Sequence, residues 1–185
     1  MRWERLFADL EAQEAGQALR QQESNIAEMS RLLASEGTLQ ENLLDQVGQR
    51  AHVHVAGRAG VQHLEVTGVG KDWFSGRENG REVLVQNRHL VSVEPSAESK
   101  GNAGRDPRVL TVGFRSTLRE LARQRVIVEV STLVPEVLFT GTIDRVGLDF
   151  CVLSQHDPDE FRRARAIRAV QWLALSHITQ VSSWR

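Results

Sequence analysis

Two six-residue segments of this 185-residue chain, "GVGKDW" at 68–73 and "RVGLDF" at 145–150, both read Val-Gly-x-Asp-aromatic. A chain that writes one turn twice is constrained to repeat the elements on either side of it, and the flanking residues do repeat. Thr38-Leu39-Gln40-Glu41 and Thr117-Leu118-Arg119-Glu120 have the form of a capping box, in which the hydroxyl accepts the amide proton three residues on and the carboxylate reaches back. Each box opens a short amphipathic helix, with Leu39, Leu43, Leu44 and Val47 in one copy and Leu118, Leu121 and Ala122 in the other. Alternating strands follow at 51–55 ("AHVHV") and 126–130 ("VIVEV"), each with its valines on one face. The last matched segments are "LVQNRHLVSV" (84–93) and "WLALSHITQV" (172–181), both with His before an aliphatic residue.

The offsets between matched positions are 79 (Thr38 to Thr117), 75 (Val53 to Val128), 77 (Asp72 to Asp149) and 88 (His89 to His177). Small drifts and one jump are what insertions in loops produce, with "HDPDEFRRAR" as the inserted tip of the second copy. Two copies make a duplicated domain rather than a solenoid. Between them "PSAESKGNAGRDP" (95–107) has linker composition, with Pro at each end.

One short helix followed by about five short strands with tight turns is the pattern of a small, strongly bent barrel. In the second copy, "TLRELARQRVIVEVSTLVPEVLFTGTIDRVGLDFCVLSQHD" and "IRAVQWLALSHITQV" resemble the Sm-like fold. The first copy is similar, without a glycine at the place of Gly141. With its "MRWERLFADLEAQ" opening the whole chain also resembles a family of short actinobacterial proteins, a resemblance that brings no activity with it. The expected fold is mainly β with an α-helical N-terminus: a long helix at 1–36, a first Sm-like or SH3-like barrel at 37–94, a flexible linker at 95–107 and a second barrel at 108–185, each barrel preceded by a short helix. Within the repeated turn, Val69 and Val146 are expected to end the second strand, Gly70 and Gly147 to supply a bend, Asp72 and Asp149 to accept backbone amides, and Trp73 and Phe150 to return into the core.

Residues 2 to about 35 hold no Pro and one Gly, and are rich in Ala, Gln, Glu and Leu, which predicts helix. Trp3, Leu6, Phe7 and Leu10 form one apolar stripe and Ile26, Met29, Leu32 and Leu33 another. The first stripe is a candidate surface for self-association or a protein partner. Formal net charge is −1, so no chain-wide basic field holds nucleic acid. A single cysteine, Cys151, excludes an intrachain disulfide and Cys-rich zinc motifs. Charges interrupt the apolar residues at the N-terminus and no stretch approaches a membrane span. A soluble, cytoplasmic protein without membrane association is expected.

No cofactor, metal or catalytic signature is present. Asp72 and Asp149 have no polar partner signalled beside them for acid–base work. His52, His54 and His63 are a weak zinc candidate, lacking a neighbouring carboxylate or cysteine. His89 and His177 recur in both copies, which favours a structural role, and Cys151 in "DFCVL" reads as a buried small hydrophobe. Of the RNA-contacting positions that the Sm-like resemblance implies, Arg88 alone is retained; Gly147, Cys151, Ser176 and His177 stand at the others. Arg162, Arg163, Arg165 and Arg168 cluster after Asp157, Asp159 and Glu160, and guanidinium forks suit phosphate. The leading expectation is a non-catalytic interaction or scaffold protein acting through the N-terminal helix and two barrels. The alternative is RNA or single-stranded nucleic-acid binding through Arg88 and the 162–168 loop; an enzyme ranks last.

Overall fold

The computed structural model describes residues 37–95, 111–135, 137–157 and 167–183. The chain divides into two units, Met1–Leu39 and Gln40–Arg185, and the architecture below is that of the second. The helix expected at 1–36, its stripe Trp3, Leu6, Phe7 and Leu10, the linker after Pro95, and Arg162, Arg163 and Arg165 lie outside the described residues.

The elements run α1 (Leu39–Asp45), β1 (Arg50–Val55), β2 (Gln62–Val69), β3 (Trp73–Glu78), β4 (Arg81–Gln86), a 3-10 turn (Asn87–His89), β5 (Leu90–Pro95), α2 (Phe114–Gln124), β6 (Ile127–Thr132), β7 (Leu138–Val146), β8 (Phe150–Gln155), β9 (Ala169–Ala174) and β10 (Ile178–Ser183). The protein is mainly β. β1 buries Ala51, Val53 and Val55 and exposes Arg50, His52 and His54, as the period of two demands. Asn79 and Gly80 close the β3–β4 hairpin with φ of 50° and 81°, the backbone that a two-residue turn between twisted strands favours.

All ten strands form one antiparallel sheet in the order β5-β1-β2-β3-β4-β10-β6-β7-β8-β9. A single sheet is not what two independent modules predict, so equivalence of the copies must be sought in register. It is there. Val53 lies opposite Val93 as Val130 lies opposite Val181, and Trp73 opposite Gln86 as Phe150 lies opposite Ala174. The β2–β3 pairing slips between Val66 and Gly68, and the β7–β8 pairing slips between Ile143 and Arg145. β5 bulges where it faces His54 and Val55, and β10 bulges at the matching place between Ile178 and Gln180. These pairs place positions 77 apart through the first three strands of each half and 88 apart in the last two. Val53 therefore matches Val130, not Val128, and the whole jump falls between β8 and β9. β-bulges are specific local structures, and two of them recurring in place make chance resemblance a poor account.

Each half has its own core. Leu43, Val53, Leu64, Val66, Phe74 and Val85 lie at the centre of the first; Phe114, Leu118, Val130, Ile143, Leu153 and Ile178 lie at the centre of the second. Trp73 and Leu84, from first-half strands, belong to the second core. β4 and β10 would otherwise be sheet edges, and their pairing (Val181 opposite Leu84, Ser182 opposite Val83) satisfies both rows of backbone donors and acceptors.

The repeated turn has one local geometry in both copies. The Gly70 amide donates to Trp73 O and the Gly147 amide to Phe150 O, both at 2.8 Å. Asp72 O accepts from the Asn87 amide and Asp149 O from the Leu175 amide, at 3.0 and 2.7 Å. Neither turn glycine has positive φ, so the expected reason for glycine needs correction: the constraint is space. A Cβ on Gly70 would lie 2.2 Å from the Trp73 indole, and one on Gly147 would lie 2.5 Å from the Phe150 ring. The aromatic residues then part company. Trp73 is buried and donates its Nε1–H to Val112 O at 2.8 Å, whereas Phe150 is half-exposed, contrary to the expectation that both enter a core.

The second capping box is also corrected. Helix α2 starts at Phe114, with Gly113 as its N-cap, so Thr117 lies inside the helix and Glu120 pairs instead with Arg123 and Gln124. Asp72 supplies the cap from the first half: its Oδ1 accepts the Phe114 amide at 2.7 Å. A carboxylate there also meets the positive end of the helix dipole.

Unequal surroundings predict unequal mutational costs. Gly70→Ala must displace a buried, hydrogen-bonded indole and should cost about 1–3 kcal/mol in urea unfolding, the range for overpacking. Gly147→Ala pushes on a half-exposed ring and should cost clearly less; equal costs would show that ring packing is not what the glycines serve.

Candidate functional site

Two places concentrate chemistry-bearing side chains: the β4·β10 junction and the outer face of β8 and β9. At the junction, first-half Arg58, Gln62 and Arg81 meet second-half Glu129, Ser131 and Gln180. Arg58 Nη1 donates to Ser131 Oγ at 3.3 Å and lies 3.9 Å from Glu129, while Arg81 lies 3.8 Å from the same carboxylate. The amide orientation that satisfies Gln62 accepts from Arg58 Nε at 3.0 Å and donates to Gln180 Oε1 at 2.9 Å. Gln62 and Gln180 are buried, and a buried amide must be bonded. This network fixes register between the halves.

Arg88 sits on the 3-10 turn and is committed to the same task. Its Nε donates to Gln86 Oε1 at 2.7 Å and its Nη2 to Leu175 O at 2.6 Å. Two of the donors of Arg88, the residue expected to contact nucleic acid, thus bind its own fold. His89 Nε2 lies 3.0 Å from Ser176 O and 3.2 Å from Arg88 Nε. A carbonyl only accepts, so Nε2 carries the proton and donates to Ser176 O, and the Arg88 contact is not a second bond. The two recurring histidine loops thus meet, although His177 itself turns to Ser176 Oγ at 3.1 Å. Burial, and then the Arg88 charge, hold the His89 pKa below its usual 6.5, against the pull of the Ser176 bond.

The other candidates separate. His52 and His63 are cross-strand neighbours with ring centroids 4.5 Å apart, His52 Nδ1 is 3.5 Å from Glu94, and His54 Nδ1 bonds Ser92 Oγ at 2.8 Å. Among the described residues no group of three His, Cys, Asp or Glu side chains is placed to hold a metal ion. Arg168 is paired with Asp157. Cys151 is fully buried, and burial pushes its thiol up to about 11. His156 went unnoticed in the sequence; it is buried between Thr142 Oγ1 at 2.8 Å and Asp157 O at 2.9 Å, a structural role that nothing in "SQHD" announces. A cleft of about 210 Å³ between α2, β3, β4 and β10 is lined by Trp73, Leu84, Leu121 and Val181, with Glu82 its one charged lining residue.

The outer face of the second half is the feature that stands apart. Trp172 on β9 is 71% exposed and stacks on Phe150 at 5.4 Å between centroids, with an interplanar angle of 18°. Arg145 Cζ lies 5.6 Å from the Phe150 centroid. Leu148, 80% exposed in the turn, and Val170 extend the apolar surface. Among the described residues β9 is also the end of the sheet, so this face adjoins a row of backbone groups that no described strand pairs. The sequence signal was alternation: Val170, Trp172 and Ala174 share one face of β9, opposite Leu173.

No family model, curated protein or solved structure matches the chain. Among the described residues no helix is long and apolar enough to cross a membrane.

Two outcomes are expected at these sites. Cys151 should resist a thiol reagent at neutral pH until the chain unfolds, because a thiolate is required for attack; prompt labelling of the folded protein would contradict its burial. His89 favours its neutral form when folded, so the unfolded chain binds protons first as pH falls below 6.5 and stability drops there. Urea midpoints measured above and below that value should fall more for the wild type than for His89→Gln, and parallel curves would remove His89 from the pH response.

Proposed function

We propose that this is a non-catalytic interaction protein built on two Sm-like or SH3-like β modules, with the outer face of β8 and β9 as its docking surface. The observation that carries this reading is Trp172, a large aromatic left in solvent and stacked on Phe150 beside a strand edge that no described residue pairs. Each half supports the module assignment: a helix precedes five antiparallel strands, and the fifth returns to pair with the first. Exposed apolar surface next to an edge strand suits strand addition, in which backbone bonds give affinity and alternate side chains give specificity. The N-terminal stripe Trp3, Leu6, Phe7 and Leu10 is proposed as a second contact, for self-association or a protein partner.

RNA or single-stranded nucleic acid is the second reading. It draws on the exposed Trp172 stacked on Phe150, whose ring the Arg145 guanidinium approaches, since aromatic faces and guanidinium groups stack bases; Arg162, Arg163, Arg165 and Arg168 are its proposed phosphate contacts. It requires affinity that falls linearly with salt on a log–log plot.

Capture experiments with the full chain separate these readings. Protein partners held by the wild type should be lost with Trp172→Glu or with Leu6→Glu/Leu10→Glu. A capture set unchanged in both variants, or salt-dependent binding of mixed-sequence single-stranded RNA that Trp172→Glu abolishes, would displace the protein-docking reading.

A further inference from the structure

Trp73 and Phe150 occupy matched positions, as do Leu84 and Trp172, yet one pair is buried and the other exposed. Leu84 is 7% exposed because β10 pairs with β4 and brings Val181 over it, and the face containing Trp73 and Leu84 is completed by the second core. Nothing among the described residues does the same for Phe150 and Trp172. The first half carries the opposite deficit. β5 is the other end of the sheet, and it is open where its counterpart β10 is buried: Val91 is 68% exposed and Thr179, its counterpart, 0%. Leu90 and Val93 are only partly buried against the first core, whereas Ile178 and Val181 are fully buried. Among the described residues there is therefore an outer face without a fifth strand, and a fifth strand without an outer face.

We propose that a second copy of this chain fills both deficits, its β5 pairing antiparallel with β9 in the register that β10 adopts on β4. This rests on the docking reading given above and names its partner. Carried over position by position from Gln180–Val85, Val181–Leu84 and Ser182–Val83, the register sets Ser92 opposite Leu173, Val93 opposite Trp172 and Glu94 opposite Gln171. Val93 then joins Trp172 and Phe150 as Val181 joins Leu84 and Trp73. Pro95, matching Ser183, has no amide to donate and ends the ladder. The contact is head-to-tail, so successive copies close into a ring or extend as a filament.

The polar network is not repeated at this second junction. Glu129 and Arg81, which face each other across the internal one, correspond to His52 and Ala169. Pairing between copies is therefore an apolar contact with strand bonds, without the ionic register device of the internal junction, and depends on chain concentration.

The experiment uses the purified full chain. Sedimentation over a wide concentration range should give mass above the 20.8 kDa monomer, and Trp172→Glu should lower that mass with an unchanged circular dichroism spectrum. Glu94→Cys and Gln171→Cys chains should form a disulfide-linked dimer under mild oxidation only when mixed, since antiparallel neighbours lie within disulfide reach and Cys151 is buried. Cross-linking of either variant with itself, assembly unaffected by Trp172→Glu, or a monomer at every concentration overturns the self-pairing. Should the monomer still capture another protein through Trp172, the docking surface stands and only the identity of its occupant is wrong.

Discussion

Pairing between β4 and β10 satisfies the backbone donors and acceptors of two strands that would each otherwise end a sheet. The remaining asymmetry of the molecule follows from it. Once β10 lies beside β4, the outer side of the first half becomes part of the interior of the second: Trp73 and Leu84 enter a core made mostly of second-half residues. Fully burying an aromatic or leucine side chain is worth about 1.5–3 kcal/mol. The junction's own ion pairs, Arg58 and Arg81 each with Glu129 at 3.9 and 3.8 Å, are long and partly buried, so desolvation offsets much of their Coulombic gain. The apolar contribution thus dominates at the junction, and the network of Arg58, Gln62, Glu129 and Gln180 specifies register more than it adds stability.

Much of the strand plan was legible because alternation has a simple cause. "AHVHV" could bury only its valines with Ala51 on one face, and the structure places them there. The repeated turn was legible as a unit, since Val, Gly, Asp and an aromatic at fixed spacing reappear with the same backbone bonds. Its physical reason was not. Glycine suggests a left-handed backbone, whereas Gly70 and Gly147 answer to a ring lying against Cα, a demand no local pattern states. Volume exchange between strands was hidden for a similar reason. Leu64 and Gly76 in the first half match Gly141 and Leu153 in the second, so leucine and glycine have traded strands; a Cβ on Gly76 would meet Leu64, whereas one on Gly141 would meet the Ser154 carbonyl. A search for glycine at one fixed place misses such a swap.

The candidate surface was the least legible part. Phe150 and Trp73 were both expected in a core because they end the same turn motif, and that inference holds only if both halves have the same neighbours. Sequence records the residue and not what lies across from it. Arg88 shows the converse: a cation that read as free for phosphate bonds Gln86 and the Leu175 carbonyl. Long-range partners 87 positions away lie beyond any spacing rule.

Asp72 shows how far the two copies have come to depend on each other. Its carboxylate belongs to the first copy's turn, yet it tethers the opening amide of the second copy's helix; Asp149, in the matching turn, is exposed. The two halves thereby have a fixed order. Transposing them would strand one carboxylate and leave one helix without its cap, so the halves are no longer interchangeable parts.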